Sequence, residues 1–276
     1  MQLDFYQVDA FTDTPFTGNP AIIYCLGSWL GDGLMQRIAN EHHLAETAFV
    51  VPEGAGWRIR WFTPVVEVPL CGHATLAAAH VLRVIHHADI APMVFQSRSG
   101  ELRVSEERGR LWLDMPAETL AEKGVSLGAQ RALGGDIVDV LDGKNLVVVL
   151  PTEQHVLACR PDFGAIAQLP WPGVVVTARG EQHDFVSRYF APQLGIFEDP
   201  ATGSTHCALV PYWSERLNKT SLRARQCSAR GGELWCRLEG ERVIVGGDAT
   251  LVAKGQLLTG LPWPQGGTPW PAPPSG

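Results

Sequence analysis

Residues 72–82, GHATLAAAHVL, are apolar almost all the way round a helix. Small and apolar side chains occupy nearly every position, so an α-helix from about residue 72 to 87 has hardly any polar face. A helix that is apolar on every side has to be buried, because no orientation of it turns only polar groups to water. The segment therefore predicts a central helix, and the strand-rich sequence around it indicates a sheet wrapped about that helix.

This segment has a counterpart about 130 residues later in the chain. Three matched pairs occur in the same order: FTP at 62–64 with FAP at 190–192, GH and an apolar run from 72 with GS and an apolar run from 203, and GEL at 100–102 with GEL at 232–234. The offsets of 128, 131 and 132 residues drift by only four. The pattern predicts a duplicated unit and two similar lobes. Coincidence between common strand and turn signals is the alternative.

Each copy has the pattern of an α+β lobe. WRIRWFT (57–63) and HDFVSRYF (183–190) alternate polar and apolar residues as half-buried strands do. The segments that follow each GEL predict two short strands around a turn. In the second copy the helix spans about 203–217, and Pro211 inside it removes one backbone hydrogen bond and predicts a kink.

These patterns predict three regions along the chain. They are an N-terminal lobe at 1–118, a C-terminal lobe at 119–260 and a tail at 261–276 with six prolines in sixteen residues. The proline content of the tail favours irregular structure.

Composition and charge argue against several classes of function. The chain has 276 residues, a net charge of -7 and no long cluster of Lys and Arg, which argues against nucleic-acid binding. It has no apolar run near the ~20 residues that span a membrane and no N-terminal pattern of a secretory signal, so a cytoplasmic location is expected. Its six cysteines include no C-x-x-C pair and are expected to be reduced thiols. A small molecule is the expected partner.

The two helix starts predict a binding site for an anion. The first N–H groups of a helix lack partners within the helix and carry partial positive charge. Gly72 and Gly203 stand at equivalent starts, where glycine lets the backbone come close to a ligand such as a carboxylate. The simpler alternative is that both glycines merely form turns.

The residues before the second helix are open to two interpretations. Asp199 and Thr202, with Ser204 next to Gly203, are residues that commonly cap a helix. Capping explains less well why the matched position in the first copy carries His73, which is a poor cap and a good acid, base or hydrogen-bond donor.

Glu46 is a candidate proton carrier. It directly precedes the apolar run TAFVV, where burial would favour its protonated form and make it usable near neutral pH. A solvated glutamate at a strand end is the alternative. The chain lacks the paired ligands of a structural zinc site and the glycine-rich motifs of nucleotide sites, so neither a metal nor a cofactor is expected.

Cys71 stands immediately before the first helix start. A thiol at a helix N-terminus can become a nucleophile, whereas a buried cysteine more often serves packing. A pair of Cys71 with His73 is disfavoured, since neighbours two apart on one loop rarely form a nucleophile and its base.

Taken together, these segments resemble the PhzF-like family of phenazine-biosynthesis isomerases, which has the diaminopimelate-epimerase-like fold. The matching stretches are DAFTDTPFTGNPAIIYCL, LAETAFV, FTPVVEVPLCGHATLAAAHVL, EDPATGSTHCALVPYW and GGELWCRLEGERVIVGGDATLVAKGQL. They follow the family's order over nearly the whole chain to about residue 258.

The resemblance implies two pseudo-symmetric lobes, each a mostly antiparallel sheet rolled around a central helix, with the active site between the lobes at the helix N-termini. It implies Glu46, His73 and Asp199 as catalytic residues, and Gly72, Thr202, Gly203 and Ser204 as substrate-binding residues. In the family's best-known reaction, on trans-2,3-dihydro-3-hydroxyanthranilate, the glutamate moves a proton between carbons without cofactor or metal. Relatives also suggest a homodimer.

Two positions depart from related patterns. Racemases of this fold use a cysteine at each helix start, but here only Cys71 is present and Thr202 takes the second place, so two-thiol racemisation is not expected. Pro69 stands where many relatives carry an acid. The hypothesis is a cofactor-independent isomerase of a small carboxylate, and its alternatives are a one-thiol epimerase or hydrolase using Cys71 and a non-catalytic binding relative.

Overall fold

The computed structural model describes residues 1–88, 92–124 and 127–260. The chain forms two compact units, one made of Met1–Asp114 together with the segment from Gly247, the other of Met115–Gly246. The chain first passes from one unit to the other between Asp114 and Met115, four residues before the predicted boundary at 118/119. The assignment of residues 247–260 to the C-terminal lobe is wrong, because the last strand pairs within the first unit. The predicted irregular tail at 261–276 lies outside the described residues.

The strands are, in chain order, β1 Gln2–Ala10, β2 Asn19–Cys25, β3 Glu46–Glu53, β4 Gly56–Phe62, β5 Glu67–Val68, β6 Met93–Ser97, β7 Gly100–Glu107, β8 Arg110–Pro116, β9 Ala121–Glu122, β10 Asp139–Asp142, β11 Leu146–Val149, β12 Val174–Arg179, β13 Phe185–Ala191, β14 Ile196–Asp199, β15 Ser221–Gln226, β16 Gly232–Glu239, β17 Arg242–Gly247 and β18 Ala249–Leu258. The α-helices are α1 Asp32–His42, α2 Gly72–Val84, α3 Leu127–Leu133, α4 Glu153–Ala158, α5 Phe163–Ile166 and α6 His206–Leu217. Short 3-10 turns lie at Pro192–Leu194 and Gly203–Thr205. Among the helices of the described residues, none has the length and apolarity needed to cross a membrane.

The first unit is a mostly antiparallel sheet. Its strand order is β18-β1-β2-β3-β4-β6-β7-β8, with the short β5 beside β4. Only β2–β3 and β4–β6 are parallel pairs among these. Parallel pairs need a crossover between the strands, and the chain supplies α1 for the first pair and α2 for the second.

The second unit repeats this order. Its strands run β9-β10-β11-β12-β13-β15-β16-β17, with β14 beside β13. The parallel pairs fall at the corresponding places, β11–β12 and β13–β15. The matched sequence pairs lie in equivalent elements, since β4 corresponds to β13, α2 to α6, and the β7–β8 hairpin to β16–β17. The predicted duplication and the predicted α+β class with pseudo-symmetric lobes are confirmed.

Helix α2 is the buried centre of the first unit, as its sequence predicts. Ten of its side chains or glycine positions are buried, among them Ala77, Ala78 and Leu82, and it packs against β1, β2, β3 and β18. All seven residues of β2 are buried because helices cover both faces of the sheet there. Alternate side chains such as Tyr24 join the core on the α1 side.

The 3-10 turn leads directly into helix α6, which continues through Pro211. A proline lacks the N–H that would bond to the carbonyl four residues earlier, which is that of Cys207. The backbone N–H of Glu118 donates to this carbonyl at 2.9 Å. A partner from outside the helix thus satisfies the carbonyl that Pro211 leaves without a bond, and the helix does not end there.

Candidate active site

Glu46 and His73 meet in the first unit. Glu46 begins β3, which runs parallel to β2 in a register that places Glu46 opposite Ala21. His73 is the second residue of α2. Glu46 is 8% exposed and His73 is 3% exposed. An Oε2 of Glu46 lies 3.2 Å from Nε2 of His73. The alternative of a solvated strand-end glutamate is therefore wrong.

Asn19 determines which ring nitrogen of His73 carries the proton. The Asn19 side-chain amide nitrogen lies 3.1 Å from His73 Nδ1, so its N–H donates and Nδ1 accepts. Burial lowers the pKa of His73 to about 3, so the ring is neutral at pH 7. A neutral ring whose Nδ1 accepts carries its proton on Nε2, which faces Glu46. The Nε2 proton lies beside the Glu46 carboxylate at 3.2 Å, in a geometry that is not that of a hydrogen bond, so the attraction between the two groups is electrostatic.

Cys71 belongs to the same group. It occupies the N-cap position of α2 with an extended backbone, and its Sγ lies 3.5 Å from His73 Nδ1. The turn into α2 directs both side chains to the same side, so the two residues are in contact, and whether they act as a nucleophile and its base stays untested. Sγ, a His73 ring nitrogen and a carboxylate oxygen of Glu46 all lie within 4.8 Å of one another. These atoms are donors that a metal ion could use.

A second polar group lies in the second unit around Asp199. Asp199 ends β14 and Thr202 precedes the 3-10 turn, and both side chains are buried. The hydroxyl of Thr202 donates to Oδ2 of Asp199. Thr202 stands at an N-cap position, but its side chain makes no capping hydrogen bond. Helix capping therefore does not account for this threonine.

Gln226, at the end of β15, holds this group in place. Its Oε1 accepts from the Thr202 backbone N–H at 2.8 Å. Its amide nitrogen donates to the Asp199 carbonyl at 2.7 Å and to the Thr202 hydroxyl at 3.0 Å. The backbone N–H must donate, so the direction of every bond follows: Gln226 donates to Thr202, and Thr202 donates to the Asp199 carboxylate.

The predicted binding residues lie at the starts of α2 and of the 3-10 turn that precedes α6. Gly72 is the first residue of α2, Gly203 is the first residue of the 3-10 turn, and both are buried, whereas Ser204 is half-buried. The Thr202 backbone N–H is already bonded to Gln226. Its hydroxyl is committed to Asp199. Binding of an anion by Gly72, Gly203 and Ser204 stays a prediction.

Sequence reasoning assigned no role to Asn19 and Gln226. Gln226 follows Leu222 and Ala224 at every second position of β15, so alternation alone places it on the buried face. A polar side chain at such a position is a usable signal. For Asn19, the only sequence signal was its position directly before an apolar stretch that forms a strand. Pro69 is exposed, and its carbonyl accepts from the Ser99 hydroxyl at 2.8 Å.

Known proteins match the chain over nearly its full length. The model of the PhzC-PhzF family, described as phenazine biosynthesis-like protein, matches residues 8–255. An uncharacterized isomerase of Pseudomonas aeruginosa is 62% identical over 258 residues, covering 93% of this chain and 99% of that protein. The crystal structure of a PhzF family protein from Enterococcus faecalis superposes with a TM-score of 0.90 at 45% identity, covering 94% of this chain and 100% of the other.

More distant structures share the fold. A probable proline racemase from Agrobacterium radiobacter K84 superposes with a TM-score of 0.65 at 9% identity, covering 93% of each chain. At that identity the likeness concerns the fold alone. It agrees with the predicted diaminopimelate-epimerase-like architecture.

Proposed function

Because this chain belongs to the PhzC-PhzF family of phenazine biosynthesis-like proteins, we propose that it is an isomerase that moves a proton between two carbons of a small carboxylate-bearing substrate. Glu46 carries the proton, and no cofactor takes part in the step. The observation that supports this most is the buried pair of the Glu46 carboxylate and the neutral His73 ring at 3.2 Å.

The pair has the properties that a proton carrier needs. The N–H at Nε2 of His73 stabilises the Glu46 carboxylate electrostatically across 3.2 Å. The carboxylate takes a proton from an activated carbon of the substrate. The protonated Glu46 then returns that proton to a second carbon of the same substrate, so no proton is gained or lost overall. General acid–base catalysis of this kind contributes roughly 10²- to 10⁴-fold in rate.

The other residues of the two groups have supporting roles in this proposal. Asn19 keeps the His73 proton on Nε2 by donating to Nδ1. Following the family resemblance, Asp199 and Ser204 hold or assist the substrate. The substrate's carboxylate is expected to accept from an N–H group at the start of α2, near Gly72. A homodimer also stays a prediction.

Label uptake from deuterated water tests the proposal. The protein is incubated with a panel of small unsaturated and amino carboxylic acids, and mass spectrometry detects deuterium at carbon. We expect at least one member to gain label. Tight binding of a member without label uptake from any of them would support the non-catalytic alternative instead.

Glu46→Gln is the decisive variant. It keeps the size of the side chain and removes its ability to carry a proton, so exchange should fall to background while ligand binding stays within several-fold. Glu53→Gln is the matched control, because Glu53 ends the same strand at an exposed position. Full exchange in Glu46→Gln would rule the mechanism out.

Cys71→Ser separates the proposal from the one-thiol epimerase. That rival has an observation in its favour, since Cys71 Sγ lies 3.5 Å from His73 Nδ1. A large loss of exchange in Cys71→Ser with retained exchange in Glu46→Gln would favour the thiol. The proposal expects the reverse.

A further inference from the structure

Glu46, Cys71 and His73 bring together a thiol, an imidazole and a carboxylate, the three ligand types that proteins use for zinc. All three side chains are buried, and one donor atom from each lies within 4.8 Å of the others. Within residues 1–88, 92–124 and 127–260 this is the one group of at least three such residues with that spacing. No spaced pair of zinc ligands predicts this group from the sequence, because its members come from β3 and from the turn into α2.

The distances fit a tetrahedral ion for the first two ligands. Bonds of about 2.3 Å to sulfur and about 2.0 Å to nitrogen, at a tetrahedral angle, separate the two ligand atoms by about 3.5 Å. Cys71 Sγ and His73 Nδ1 are 3.5 Å apart. An ion can therefore bridge these atoms without moving either of them.

The third ligand requires a movement. Glu46 faces Nε2 of His73 rather than Nδ1, with 3.2 Å between the atoms. An oxygen and a nitrogen on one tetrahedral zinc are about 3.3 Å apart, so the carboxylate has to move from the Nε2 side of the ring toward Nδ1 to reach the ion. The Asn19 amide, which now donates to Nδ1, would turn its oxygen toward the ion and offer a fourth ligand.

The charges also balance in a buried site. One thiolate and one carboxylate supply two negative charges, and a divalent cation supplies two positive ones. Burial of a charge is costly unless it is paired, and here the sum is zero. The Cys71 thiol releases its proton to solvent when the ion binds.

We propose that Glu46, Cys71 and His73 form a binding site for one Zn²⁺ or a similarly soft divalent cation. The bound ion inhibits the enzyme, because it occupies the carboxylate and the ring that carry and direct the proton. The binding site stands independently of the proposed isomerase function. Only the inhibition rests on that function.

Cobalt is the probe for the site itself. Untagged, metal-free protein is titrated with Co²⁺, and a thiolate-to-cobalt charge-transfer band in the near ultraviolet is expected to rise to one equivalent. Cys71→Ser and Cys71→Ala should both lose the band, and Cys227→Ser, a change at a half-buried cysteine of the second unit, should keep it. A wild-type protein without the band, or the same band in both Cys71 variants, would overturn the site.

Zinc competition measures the other two ligands. With a chromophoric chelator as competitor, Glu46→Gln and His73→Gln should each weaken Zn²⁺ binding at least tenfold, and Glu53→Gln should leave it unchanged. Circular dichroism establishes that each variant is folded. Unchanged affinity in both Glu46→Gln and His73→Gln would refute the three-residue site.

The inhibition is tested separately in the deuterium exchange assay, where Zn²⁺ should abolish exchange by the wild type and a chelator should restore it. A cobalt band without exchange on any substrate would refute the isomerase proposal and leave the metal site standing. Exchange that persists at saturating Zn²⁺ would refute the inhibition.

Discussion

His206 makes the stability of the second unit depend on pH. It is the first residue of α6 and is fully buried, with Nδ1 donating to the Thr202 carbonyl at 2.8 Å. Its ring packs beside that of Phe185, with 5.6 Å between the ring centres. Burial lowers the pKa of His206 to about 4, because a charged ring would lose its hydration there.

The size of the effect follows from proton linkage. Below pH 6.5 the unfolded chain binds a proton at this histidine, whereas the native ring stays neutral until the pH approaches about 4. The free energy of unfolding therefore falls by about 1.4 kcal/mol per pH unit across this window and is unaffected above it. By pH 5 the loss from His206 is about 2 kcal/mol.

His206→Gln isolates this contribution. A glutamine amide can donate to the Thr202 carbonyl but does not titrate, so the variant should lose about 2 kcal/mol less than the wild type between pH 7.5 and pH 5. Urea unfolding at both pH values measures this difference. His73, whose pKa burial also lowers, is present in both proteins and cancels in the comparison.

An exposed histidine provides the control. His87→Gln makes the same substitution at an exposed position of the other unit and is measured beside it. Equal losses in His206→Gln and the wild type would refute the assignment of acid sensitivity to His206.

Three further predictions concern packing and the Asp199 group. Gln226→Leu leaves the Thr202 N–H and the Asp199 carbonyl without their buried partner and should cost about 3 kcal/mol in urea unfolding, whereas a cost below about 1 kcal/mol would contradict the network. Thr202→Val, which cannot donate to Asp199, should be less stable than Thr202→Ser by at least about 1 kcal/mol in the same assay, and equal stabilities would count against the donation. Ala77→Leu overfills the packing around the fully buried Ala77 of α2 and should cost about 1–3 kcal/mol in thermal unfolding, so an unchanged midpoint would show that this position has room around it.

Local sequence patterns predicted much of the fold because the forces behind them are local. The apolar stretch 72–82 could only be a buried helix, and the alternation in 57–63 could only bury one face of a strand. The pairing of β18 with β1 could not be predicted in this way. This pairing places Gln2 opposite Leu258, and the two residues are far apart in sequence. The residue types of either strand do not indicate which strand it pairs with.

The candidate site was predictable to the extent that unusual residues mark it. Glu46 and His73 were identified because an acid and a histidine stand beside apolar segments. Their supporting residues were missed, since an asparagine before a strand and a glutamine within one have many ordinary roles. The contact of Cys71 with His73 depends on the backbone turn into α2, which residue types alone do not specify.

The return of β18 to β1 sets the order in which the chain can fold as it is synthesised. Residues 115–246 contain every strand of the second unit, so that unit is complete before β18 has been translated. At about 5–20 residues per second, β1 waits roughly 12 to 50 s for its partner. During that interval one edge of β1 presents unpaired backbone N–H and C=O groups. The first lobe to emerge from the ribosome is therefore the last to be finished.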